Sequence, residues 1–297
     1  MKAVLLLAHG SPDSSTEADI REFLNNVTGG RTLPDEAVEE IRSRYQRIGR
    51  SPLADITKRQ AQLLERELGM RVYVGMRNWR PFIADAVKQM SADGVTHATV
   101  ICLAPQNSRT SVGLYRKALE SKGALPFTLD FVQSWHDDPK LIEAFTEKLL
   151  PAWKRACDET GVQVPIIFTA HSVPVRTVTE GDPYENQARD TALLVAAKCE
   201  LPDSAWCCAF QSQGLAGGPW LGPTVEETIL ALKNNGATAV MMQPIGFVCD
   251  HVEVLYDIDI AFTKFAEENG MKLWRTESLN DSPRFIEALA GLVRRRA

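Results

Sequence analysis

His171 is the first residue whose surroundings suggest chemistry. It follows the apolar run PIIFTA, residues 165–170, and precedes Ser172, Val173 and Pro174. An apolar run ended by small residues and proline is a buried parallel strand passing into a loop. The imidazole therefore belongs at a strand's carboxyl end, where it can take a proton near neutral pH or bind a borderline metal. A ring satisfied by nearby backbone is the competing reading. The second candidate is GFVCDHVEVLYDIDIAFTKFAEEN, residues 246–269, which reads as a helix after a strand. Asp250, Glu253 and Asp257 are spaced i, i+3, i+7 and share one face, with Val254, Leu255, Ile258 and Phe262 opposite. Crowded carboxylates repel unless a cation or water relieves them. Taken alone the stripe reads as a solvated helix face, with a cation-handling stripe that begins at the cleft as the functional alternative.

Two more segments carry recognition chemistry. The loop FQSQGLAGGPWLGPTVEE, residues 210–227, sets Trp220 among glycines and prolines. An indole there either walls an aromatic ligand or pins the loop to the core. RYQRIGRSP, residues 44–52, clusters Arg44, Tyr45, Arg47, Arg50 and Ser51. These donors suit carboxylates, or else form a plain basic helix end.

The elements that must position these residues come as two matching sets. VLLLAHGSP at 4–12 and IIFTAHSVP at 166–174 are each an apolar run, then Ala-His, two residues and proline. DGVTHATVICLAP at 93–105 and NGATAVMMQP at 235–244 each read as a helix-ending glycine and a buried strand closed by proline. Helical stretches precede them, Pro81 to Met90 and Thr224 to Asn234. Two echoes in the same order indicate a duplicated α/β unit. The fold class is α/β: two similar doubly wound domains, 1–155 and 156–297, with parallel sheets and a cleft between them. A last helix at about 282–295 is expected to pack back on the first domain. Strands are expected near 3–8, 71–75, 98–104 and 127–132, then 165–170, 205–210, 238–243 and 272–275. Ligands of open parallel sheets sit beyond the strands' carboxyl ends, so His9 and His171 are expected to border one cleft.

Composition removes other classes. A net charge of −5 disfavours a nucleic-acid binder, and the one dense basic run, Arg294 to Arg296, reads as a solvated helix end. The apolar start spans six residues before His9, too short for a signal peptide. No run approaches the roughly 18 apolar residues of a membrane span, so a cytoplasmic protein is expected. The six cysteines form no CxxC pair. Cys102, Cys207 and Cys208 read as small core residues, and neither disulfides nor a zinc or iron–sulfur site suits the spacing. Without GxGxxG after the first strand, or GxxxxGK[ST], dinucleotide and P-loop readings are weak.

FTAHSVP at 168–174, PWLGPTVEETI at 219–229, GFVCDHVEVLYDIDI at 246–260 and SPLADITKRQ at 51–60 resemble the signature segments of ferrochelatases, and the resemblance covers essentially the whole chain. It implies two Rossmann-like domains with a porphyrin in the cleft, and insertion of Fe²⁺ late in haem synthesis. The family's metal-inserting histidine falls on His171, its partner glutamate on Glu253, and its outgoing acidic path on Asp257. All three are thereby expected to meet the metal. Propionate contacts fall on Arg44, Tyr45, Ser51 and Tyr115. Arg31, His9 and Trp220 complete the expected substrate site. Fe²⁺ is a substrate, no cofactor is expected, and no cysteine follows Cys249 to hold an iron–sulfur cluster. The expected partners are porphyrin and Fe²⁺, with no nucleic acid and no stable membrane insertion, and the expected state is a monomer.

Residues 22–51 are short and polar where protoporphyrin-type enzymes carry a longer apolar lip. They are similar to coproporphyrin III ferrochelatases, whose product is coproheme. A protoporphyrin IX enzyme is the alternative within the class, and a cobalt chelatase is more distant. A non-catalytic tetrapyrrole-binding protein is the alternative outside it. His9 stands where coproporphyrin enzymes often have tyrosine, Thr28 where some have arginine, and Met76, Arg77 and Asn78 in a pocket segment where some carry histidine.

Overall fold

Buried apolar runs alternate with amphipathic segments of helical length, and the chain folds accordingly. The computed structural model describes residues 1–121, 125–214 and 217–296. The first half runs β1 Lys2–Ala8, α1 Glu17–Val27, α2 Asp35–Ile48, α3 Leu53–Leu68, β2 Val72–Met76, α4 Ile83–Ala92, β3 His97–Cys102, α5 Val112–Glu120 and β4 Thr128–Val132. The long α6, Pro139–Thr160, leads into β5 Ile166–His171, α7 Val175–Thr179, α8 Tyr184–Lys198, β6 Trp206–Gln211, α9 Val225–Asn234 and β7 Ala239–Pro244. The chain then passes through α10 Val252–Leu255, a π-helical turn Asp257–Phe262, α11 Thr263–Glu268, β8 Lys272–Arg275 and α12 Pro283–Arg294.

Each half forms a four-stranded parallel sheet, ordered β2-β1-β3-β4 and β6-β5-β7-β8. Both place the half's first strand between its second and third, so the echo in sequence is an echo in topology. Alternation along β1 sets its two faces. Leu5 and Leu7 pack with Ile83, Val87 and Met90 of α4. Val4 and Leu6 enter a core that also takes Ile166 and Phe168 of β5, Phe145 of α6 and Phe285 of α12. That shared core joins the halves and directs the carboxyl ends of β1 and β5 to a common cleft.

One expectation is extended and another changes. Arg294, Arg295 and Arg296 are exposed, as a solvated helix end should be, and they also pair with Glu67, Asp138 and Asp130 of the first half. This follows from α12 packing against α3 and α6, which brings its last turn to those carboxylates. The change concerns the segment 246–269, which is not one helix. Helical structure starts only at Val252 and widens into the π turn at Asp257, a feature frequent at functional sites. Asp250 precedes the helix and bonds Ser278 at 2.7 Å and Asn280 at 2.9 Å, beside Arg275. It therefore does not share the Glu253 face. No described helix is long and apolar enough to cross a membrane.

Candidate active site

Close backbone approaches bring the functional loops to the strand ends. Gly10, next to His9, has φ +88°, and a Cβ there would lie 2.8 Å from the Trp79 nitrogen. Gly246 lies against β5, where a Cβ would come within 2.9 Å of the Ala170 Cα. Only glycine permits these contacts. The first seats the loop after β1 on the loop after β2. The second seats the 246–253 segment beside His171, with Ile245 N donating to the Thr169 carbonyl at 2.8 Å.

His171 Nδ1 donates to the Ser172 carbonyl at 2.5 Å, which leaves Nε2 facing Glu253 Oε1 at 3.5 Å. Both side chains remain about one-third open, 35% and 34%, so the pair is accessible from the cleft. Burial opposes charge on His171, but the Glu253 carboxylate outweighs it and raises the imidazole to about 9. Burial likewise opposes charge on Glu253, and His171 outweighs it, bringing the carboxyl down to about 2. At neutral pH the pair is an imidazolium and a carboxylate.

Two neutral histidines complete the surroundings. Burial, aided by the charge of Arg77, lowers His9 to about 3. The Asn78 amide nitrogen lies 3.2 Å from His9 Nε2. Burial also lowers His251, whose ring meets Phe247 edge-on at 4.6 Å. Phe23 of α1 packs edge-on against His9, Tyr45 and Trp79, which ties α1 and α2 to this wall.

Asp257 is buried in the first turn of the π segment. Ser212 Oγ donates to it at 2.5 Å, and Arg44 Nη1 stands 3.5 Å away. Burial and the nearby Glu253 charge raise this carboxyl to about 6, although Ser212 and Arg44 pull against them. Arg44 is also bonded to Glu40 at 2.5 Å and lies over the Tyr256 ring. His171, Glu253 and Asp257 do not converge on one point: no three His, Cys, Asp or Glu side chains among the described residues form a metal cage. His171 and Glu253 alone offer two donors, which leaves coordination positions free for an exchanging metal.

The structure brings His9, Tyr45, Tyr115, His171 and Asp257 within the electrostatic reach of Glu253. Tyr45 and Tyr115 are buried, and burial raises both phenols, so they stay neutral donors. Ser51 is buried at the entry to α3 with its hydroxyl unpartnered. Arg31 is exposed after α1 and forms no ion pair among the described residues. Residues 215 and 216 of the glycine-rich loop lie outside the described residues. The rest of that loop is laced to the histidine segment: Leu221 N donates to the Val173 carbonyl at 2.8 Å, and Ser172 Oγ to the Leu221 carbonyl at 2.7 Å. Half-buried Trp220 sits in that pairing, opposite Pro174. Three site residues escape sequence reasoning. His251 stands two residues before Glu253, and the Asp-His-x-Glu grouping was its signal. Tyr184 donates to the His171 carbonyl at 2.9 Å and Ser212 holds Asp257, yet no local pattern marks either. Arg77 falls in a pocket segment by the resemblance, which gives it no role, and the structure sets its charge on His9.

Two four-stranded parallel half-domains facing a cleft define the chelatase class of fold. SirB from Bacillus subtilis, solved with Fe³⁺, aligns over 100% of this chain and 95% of its own with a TM-score of 0.57, at 13% identity. That likeness concerns the fold. Sequence takes the assignment further. The ferrochelatase family model matches residues 1–297, and the chain belongs to the ferrochelatase family. A ferrochelatase from Acidobacterium capsulatum is 52% identical over 98% of this chain and 93% of its own. A coproporphyrin III ferrochelatase from Geobacillus sp. is 38% identical over 99% and 95%.

Proposed function

We propose that this chain inserts Fe²⁺ into coproporphyrin III to give coproheme, with His171 and Glu253 as the catalytic pair. The observation that carries the substrate choice is the polarity of the cleft's edge. Among the described residues the exposed large apolar side chains are Met1, Leu150, Val162, Leu193, Leu194 and Leu230, and none belongs to the 22–51 segment. That segment instead exposes Glu36, Glu39, Glu40 and Arg47, a surface that suits a water-borne substrate rather than one drawn from lipid. The name of the Geobacillus relative supports the same reading.

Insertion exchanges two pyrrole N–H protons for bonds to one Fe²⁺, so the site must supply proton acceptors and a metal donor. The Glu253 carboxylate is the anion that attracts the arriving cation. His171 becomes a ligand or base only after releasing its proton to solvent, which follows when the arriving cation engages Glu253, 3.5 Å away, and removes that carboxylate's hold on the imidazolium. Asp257, near its midpoint at about pH 6, passes protons and metal between this pair and the cleft edge. Protons and metal are all that move, so no redox or nucleotide cofactor enters. The test is anaerobic Fe²⁺ insertion with coproporphyrin III and protoporphyrin IX side by side. Charged hydrogen bonds of roughly 1.5–3 kcal/mol to each of two additional propionates give an expected preference of at least about 10²-fold in kcat/KM. Equal kcat/KM in matched detergent would move the chain to the protoporphyrin branch.

A further inference from the structure

Arg77 stands one residue beyond β2, at the cleft end of the first sheet, with its backbone nitrogen bonded to the Ala8 carbonyl at 3.0 Å. Among the described residues six arginines are half-buried: 21, 42, 44, 77, 275 and 284. Five have a carboxylate partner: Arg21 with Asp35, Arg42 with Glu39, Arg44 with Glu40, Arg275 with Asp259 and Arg284 with Glu147. Arg77 has none among the described residues, and its buried Nε has no hydrogen-bond partner. Its guanidinium lies 5.6 Å from the centre of the Tyr115 ring. A half-buried cation without an anion is costly, and the natural relief is a ligand that brings the anion.

The ligand's chemistry follows from the site. A guanidinium is a planar fork matched to a carboxylate, and the aromatic face beneath it fixes its plane. Arg44, the lip residue suited to propionate from sequence, is already engaged by Glu40 and faces Asp257. The unsatisfied charge sits instead on the His9 and Tyr115 side. We infer that Arg77 binds a carboxylate arm of the porphyrin and is a determinant of preference for the more highly carboxylated porphyrin. This rests on the porphyrin reading above.

Equilibrium binding of metal-free porphyrin to the full chain, followed by fluorescence, tests it without turnover. The probes are coproporphyrin III and its tetramethyl ester in the same detergent. Arg77→Gln should raise the Kd of the free acid about 10- to 100-fold and change that of the ester less than about twofold. Arg77→Lys should recover part of the loss, and the melting temperature of Arg77→Gln should change by no more than a few degrees, since no ion pair is abandoned and only the contact with the Tyr115 ring is lost. An unchanged free-acid Kd, or equal weakening of acid and ester, overturns the inference while leaving the porphyrin reading intact. Failure of the wild type to bind either porphyrin overturns both.

Discussion

His9 and His171 occupy the same place in the two halves. Each follows an alanine at the carboxyl end of the strand that its sheet sets between the second and third. Their chemistry is opposite: His171 is raised to about 9 and His9 lowered to about 3. Burial acts on both in the same direction, so it cannot make the difference. The neighbour does. His171 has the Glu253 carboxylate, delivered by a segment from after β7, whereas His9 has the Asn78 amide and the Arg77 charge, delivered from after β2. Duplicated backbone supplies equivalent places, and unduplicated loops decide what each place does. One edge of the cleft thereby holds a charged proton-exchanging pair and the other a neutral nitrogen.

Removing the charged side should have the largest effect. His171→Ala and Glu253→Gln should each reduce Fe²⁺ insertion by at least about 10²-fold, with porphyrin binding retained. His9→Ala should cost less. Near-wild-type turnover in His171→Ala would erase the distinction between the two histidines.

The next effect is a shift rather than a loss. In Glu253→Gln the imidazole of His171, followed by NMR, should fall from about 9 back toward the ordinary value near 6.5, because burial then loses its main opponent. The pair also has a stability signature. The raised His171 stabilises fully below its unfolded value near 6.5, and that contribution is lost as pH rises through about 9. The depressed Glu253 stabilises above its unfolded value near 4.3 and loses this as pH falls through about 2. One interaction underlies both, so the melting-temperature gap between wild type and Glu253→Gln should be flat between about pH 4.5 and 6.5 and close above 9. A gap independent of pH would show that the two groups are not coupled.

What sequence reveals here is local and periodic; what it hides is brought together by folding. The strands around His9 and His171 are legible because an apolar run ended by proline has few other fates. The π turn is not legible, because Asp257 and Glu253 fit an ordinary helix equally well by spacing. Asp250 looks like part of their stripe for the same reason, yet its carboxylate is claimed by Ser278 and Asn280, some thirty residues on. Arg44 reads as a free donor from its own helix, but it is bonded to Glu40 one turn back and also faces Asp257, which comes from the other half of the chain. Arg77 falls in a pocket segment by the resemblance, but only the structure shows it half-buried with no carboxylate beside it, unlike the other half-buried arginines.

The smallest expected effect tests the neutral side. His9 is depressed to about 3 in the fold and ordinarily titrates near 6.5, so between these values the unfolded chain binds a proton that the folded chain refuses. Its contribution is fully present above pH 6.5 and is lost as pH falls toward 3. His9→Asn removes that proton linkage while keeping a polar group of similar reach beside Asn78. Melting temperatures of the two proteins should therefore diverge on acidification from pH 7.5 to 4, with the variant gaining a few degrees relative to wild type. His171→Asn should show no such acid gain, because His171 is already protonated in the fold over that range and binds its proton more tightly there than when unfolded. Parallel curves for wild type and His9→Asn would mean that His9 protonates freely in its cleft, and the electrostatic asymmetry between the two halves would fall with it.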